Sequence, residues 1–283
     1  MAIKHFLRRY WQKLNQVSEL DFWHLFMIYL ALTDETVMYH FKYVICISAV
    51  VGLTLQDQLW QRITCTLHAL VLALCLYLYF YTAANHYFAI TYFSFYVVFR
   101  QYRWVQAQNF GFGLVVLIMA LATLQKFLSP HFINGSFSGF LFLTGSSLQP
   151  LNEWNFHGFG ANIDYFNDQM TTLTSKRVGN QILEVYLPAG FNSWSLLFTW
   201  LIIGAELALV AMLIWGKHSY RYWAMLLFLW AAVFFRKEYT FFATLSFLLI
   251  TDKQMEGKAV SGLLKLSFLL FLLFSFLGVM VDG

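Results

Sequence analysis

The chain has 283 residues, 60% of them hydrophobic and 20% aromatic, with 11% charged and a mean hydropathy of +0.61. No soluble domain of this size needs so much apolar surface, so the composition specifies an integral membrane protein whose first partner is the lipid bilayer. The net charge of +4 is modest and scattered among loops, which excludes a nucleic-acid-binding patch.

The 31 Phe and 16 Tyr exceed what an aromatic belt alone would use, and they suggest a packed bundle with a lined cavity. Cys46, Cys65 and Cys75 sit within or beside apolar runs with no CxxC spacing, so they read as small core residues and not as a disulfide framework or zinc site. His and Cys nowhere cluster with metal-ligand spacing.

In chain order, residues 1–19 open with MAIKHFLRRYWQK. This stretch is basic but has no short apolar core with a cleavage site, and reads as a retained cytoplasmic amphipathic lead-in. Residues 20–283 read as one all-α, polytopic transmembrane domain. Apolar runs at 20–33, 37–55, 63–84, 86–100, 108–127, 194–215, 219–235, 239–251 and 260–280 give eight or nine spans, where a straight crossing takes roughly 17–25 residues. With the N-terminus in the cytoplasm, Lys4, Arg8, Arg9, Arg100 and Arg103 collect inside with other basic residues. Few basic residues, Lys176 and Arg177 among them, fall outside, as the positive-inside rule requires.

This orientation makes 129–192 an extracytoplasmic loop or cap. Its apolar piece FSGFLFLTG is too short to cross a bilayer and reads as re-entrant or interfacial. Trp154, Phe156, Tyr165 and Phe166 argue for an ordered cap.

Ionisable residues at membrane depth are expensive, so each is a functional candidate. Lys126 lies near the end of FGFGLVVLIMALATLQKF, just before Ser129-Pro130. Two readings stand. Its stem lies in lipid while the ammonium snorkels to the interface, or the amine is partly desolvated and acts as a base. Asn85 and His86, in TAANHYF, fall in the same leaflet, where one outward-facing pocket can hold them with Lys126. Glu206 sits mid-span in WLIIGAELALVAMLIW, and has to be protonated or paired with an arginine or lysine from a neighbouring helix. His68 reads as a core histidine. His24, His40, His68 and His86 are each able to ligate a haem, but their spacing singles out no pair. The chain has no GxxxxGK[ST], HExxH or GxSxG, and no GxGxxG opens a helix.

Read in order, QRITC (61–65), AANHYF (83–88) and LATLQKFLSPHFING resemble the core of the vitamin K-dependent γ-carboxylase and its bacterial relatives, the horizontally transferred transmembrane domain proteins. GAELALVAMLIWGKHSYR then resembles that family's acidic-residue helix, and the resemblance covers roughly 40–280. The chain departs from the animal enzyme in having Gln125-Lys126 where that enzyme has two lysines. It also ends at Gly283 without the large lumenal domain.

The resemblance implies a bacterial plasma-membrane protein that uses a reduced naphthoquinone, O2 and CO2 to carboxylate, or otherwise oxidise, a peptide. Lys126 is then the base that deprotonates the hydroquinone, His86 assists carbanion formation or CO2 addition, and Asn85 orients the histidine. Arg62 and Glu206 help hold the cofactor. A lipid-filled aromatic cavity against Lys126, large enough for a quinone ring, is what this reading needs. The alternative is a non-enzymatic membrane partner for maturation, export or anchoring of another protein, which docks on the 129–192 loop. A channel or transporter is disfavoured by the lack of inverted repeats and of Gly/Pro-broken helix pairs.

Overall fold

The computed structural model describes residues 17–33, 40–79, 85–104, 109–143, 190–235, 238–252 and 259–282. Eleven helices form among them: α1 (Glu19–Thr33), α2 (Lys42–Thr54), α3 (Gln58–Leu78), α4 (Asn85–Gln101), α5 (Phe110–Leu128), α6 (Pro130–Ile133), α7 (Ser136–Leu143), α8 (Phe191–Trp215), α9 (His218–Phe235), α10 (Tyr239–Ile250) and α11 (Ala259–Asp282). No strand occurs among the described residues.

Each of the nine apolar runs holds one of these helices, with ends within a few residues of those expected except at 37–55, where the helix begins at Lys42, and at 63–84, where it begins at Gln58 and ends at Leu78. The helices Gln58–Leu78, Phe110–Leu128, Phe191–Trp215 and Ala259–Leu277 are long and apolar enough to cross a membrane. Lys42–Thr54, Tyr220–Val233 and Tyr239–Ile250 are apolar but shorter. The apolar piece of the expected loop is the helix α7, while residues 144–189, with Trp154, Phe156, Tyr165 and Phe166, lie outside the described part, as do residues 1–16 of the lead-in.

Helix ends follow local chemistry. Ser18 and Asp21 cap α1 reciprocally, with the Asp21 amide donating to Ser18 Oγ and the Ser18 amide to Asp21 Oδ2, both at 3.1 Å. Asp57 precedes α3 and accepts from the Leu59 amide at 2.7 Å. Pro130 starts α6, where its missing N–H is no loss.

The chain divides into two compact units, Met1–Ile118 with Glu238–Gly283, and Met119–Lys237. In the first, α10 is buried at every position from Phe242 to Ile250, as expected of a helix apolar all round. Around it Phe26, Phe93, Phe247 and Phe268 pack with ring centroids 5.1–5.8 Å apart. Such offset and edge-on geometries suit the ring quadrupoles. Helix α1 lies against α2, and this closeness depends on Gly52, because a Cβ there would strike the His24 ring.

In the second unit α8 packs against α7 and α9. Arg221 ties α9 to the end of α8 by donating to the Gly216 and Ile214 carbonyls, at 2.6 and 2.9 Å. Gly135 has φ +79° and sits against the Leu196 backbone, so it lets the chain turn into α7 at close range to α8.

Gly52→Ala is expected to lower stability by about 1–3 kcal/mol, the usual penalty of overpacking. Gly113→Ala, which meets nothing within 4 Å, is expected to be neutral or to stabilise its helix. Unfolding of both variants in the same detergent micelles checks the difference.

Candidate functional site

Lys126 stands in the last turn of α5, and Glu206 is on the buried face of α8 with Ser195, Thr199 and Ile203. Both belong to the second unit. Their side chains, 19% and 9% exposed, form a direct ion pair from Lys126 Nζ to Glu206 Oε1. The mid-span carboxyl has thus found the neighbouring-helix cation that the sequence called for.

Three features favour the pair. The C-terminal turn of α5 presents carbonyls that attract an ammonium. The Phe132 ring, brought back by the α6 turn, lies 5.9 Å from Nζ. Burial weakens the competition from water that makes exposed ion pairs nearly worthless. Glu206 Oε2 is buried and has no hydrogen-bond partner among the described residues. It keeps one acceptor in hand.

The rest of this face is polar to an unusual degree for a membrane-grade helix. Thr199 and Ser138 share a hydrogen bond of 2.5 Å between α8 and α7, and the Ser195 hydroxyl is buried without a partner among the described residues.

The other expected site residues are placed as follows. Arg62 donates from Nε to the Gln101 carbonyl at 3.1 Å, and its guanidinium lies 5.2 Å from the Tyr102 ring, tying the start of α3 to the end of α4. Asn85 and His86 open α4, and their side chains lie outside the described part.

Two features of the first unit carried no emphasis in the sequence. The first is a buried histidine pair, His24 on α1 and His68 on α3, packed edge to face with ring centroids 5.4 Å apart. At that contact no porphyrin fits between them. His24 Nε2 meets Gln61 Oε1 at 2.8 Å, and His68 Nε2 meets Ser48 Oγ at 2.9 Å. The signal available in the sequence was Gln61, a polar residue within an otherwise apolar segment. The second is a cavity of about 440 Å³ at the ends of α1, α4, α10 and α11, floored by Trp23, Phe93, Tyr96 and Phe247. Charged residues line it, including the Glu19–Arg100 pair at 2.5 Å, Asp252 and Lys265. The aromatic cavity expected against Lys126 is not this one, since Lys126 does not line it.

No family model matches the chain, and no curated protein or solved structure is found to be similar to it. What the site does is therefore argued from its own chemistry.

Glu206→Leu alone is expected to destabilise the protein by about 3–5 kcal/mol, because it leaves a buried ammonium without a partner. Lys126→Met with Glu206→Leu is expected to recover most of that loss, since a matched apolar pair avoids the desolvation cost. Thermal or denaturant unfolding of the two variants beside the parent checks this.

Proposed function

We propose that the chain is a bacterial plasma-membrane protein that crosses the bilayer eight or nine times with its N-terminus in the cytoplasm, and that its second unit carries out proton transfer on a reduced naphthoquinone. The observation that carries the reading is the free oxygen of Glu206, a buried acceptor held beside an ammonium at membrane depth. Among the described residues, the four long apolar helices and the shorter apolar segments in α2, α9 and α10 support a chain that crosses the bilayer several times.

A hydroquinone hydroxyl needs a buried acceptor and its anion needs a cation, and Glu206 Oε2 and Lys126 Nζ would supply the two. Bound there, the quinol would supply reducing equivalents and, with O2, the strong base that a carboxylase requires. Glu206 Oε2 would accept the hydroxyl proton, and Lys126 Nζ would hold the oxyanion that develops. This exchanges the roles that the family resemblance suggests. An amine that is already the cation of an ion pair has no lone pair with which to act as base, whereas the unshared carboxylate oxygen does. Fixed charges in a low-dielectric site favour such a transfer because they need no reorganisation. The carboxylated or oxidised substrate would be a peptide or exported protein that docks on the 129–192 loop.

The second reading, a non-enzymatic partner for maturation, export or anchoring, is favoured by the mutual neutralisation of Lys126 and Glu206. In that case the pair is a lock between α5 and α8 and has no further task.

Purified protein in lipid, supplied with a reduced naphthoquinone and oxygen, is expected to form quinone epoxide. Glu206→Gln, which keeps the shape but not the base, is expected to lose at least ~100-fold in rate, the usual worth of a positioned base. The Lys126→Met, Glu206→Leu double variant is expected to be stable and inactive. If the parent fails to turn over any naphthoquinol tried, the enzyme reading falls and the lock remains.

A further inference from the structure

The histidine pair of the first unit has a hydrogen-bond ledger that can be read atom by atom. Gln61 Nε2 donates to the Gly52 carbonyl at 2.6 Å, which orients the amide and leaves Oε1 facing His24. Because Oε1 only accepts, His24 Nε2 carries a hydrogen. Ser48 Oγ donates its single hydrogen to the Ile45 carbonyl at 3.0 Å, so toward His68 it accepts, and His68 Nε2 also carries a hydrogen. Both rings are then in the same tautomer. Their Nδ1 atoms are bare lone pairs, and neither has a partner among the described residues.

A third group completes the set. The Trp23 indole, 6.2 Å from the His68 ring between centroids, has a buried Nε1–H with no partner among the described residues. Trp23, His24 and His68 are 0–1% exposed in the folded chain. An unmet buried polar group is costly, and bilayer hydrocarbon offers no water to relieve it. Two unmet acceptors and one unmet donor within one aromatic core require a common answer.

We propose that a single water molecule is bound between Trp23, His24 and His68. It donates one hydrogen to each Nδ1 and accepts the indole N–H, so it makes the three hydrogen bonds typical of a buried structural water. The third group decides against a metal ion. A soft cation would satisfy both imidazole lone pairs, but it has no lone pair to offer the indole. Trp23 also lines the cavity described above. The water binds α1 to α3 through His24 and His68.

The test is a cryo-EM map of the full-length protein in lipid nanodiscs at a resolution where ordered water is visible, with one sample pretreated with a copper and zinc chelator. The expected result is one peak within about 2.7–3.2 Å of all three nitrogens, unchanged by the chelator. The absence of a peak, or a peak that touches the imidazoles alone and disappears with the chelator, would overturn the proposal. A Trp23→Phe sample gives a second reading: the peak is expected to weaken or move once its indole donor is gone. A peak unmoved in Trp23→Phe would also refute the three-way site.

Discussion

A carboxylate in the middle of an apolar helix has to be neutralised or partnered, and in this chain Lys126 provides the partner. The second unit depends on that constraint. Glu206 lies along α8 where lipid-grade residues surround it, and Lys126 can reach it only from a helix that ends at the same level. Pro130 and Gly135 make that possible. They end α5 and turn the chain into α7, which packs back on α8. The ammonium is therefore held by its partner on α8. A snorkelling lysine would need no acidic partner.

The same constraint governs the first unit with neutral groups. Gln61 serves the His24 ring with one end of its amide and the Gly52 carbonyl with the other. Ser48 relays in the same manner between His68 and Ile45. Each polar side chain uses its donor and acceptor on different helices or turns, so the contacts join α1, α2 and α3. The aromatic core around α10 gives shape and dispersion, and these bonds select a register. The far sides of the two imidazoles, the indole beside them, and the Thr91 and Ser246 hydroxyls are buried without a partner among the described residues of this unit.

Much of this was legible in the sequence, and the limit has a physical cause. Each apolar run in the sequence holds a helix among the described residues, because burial or lipid contact demands a continuous apolar stretch. The cost of a lone Glu206 requires that it be protonated or paired with a lysine or arginine, and the structure shows the pair, with Lys126, 80 residues away. The two residues were nonetheless read separately, because spacing along a helix shows which face a residue occupies and not which helix faces it. His24 and His68 stayed hidden for the same reason. In the sequence His68 reads as a core histidine and His24 only as one of four residues able to ligate a haem, and the packing of the helices brings the two rings together. The resemblance implies a cofactor role for Arg62, and its described partners, the Gln101 carbonyl and the Tyr102 ring, are contacts that no local pattern carries. Asn85 and His86 open α4.

Exchanging the two charges tests the pairing most directly. Lys126→Glu and Glu206→Lys, each alone, put like charges together in a buried site. Combined, they restore an ion pair of opposite polarity. The account predicts that each single reversal abolishes stable, monodisperse protein after membrane extraction, and that the exchanged pair recovers a substantial fraction of it. An exchanged pair no better than the worse single reversal would mean that Lys126 and Glu206 do not depend on each other, and the central interaction of the second unit would be wrong.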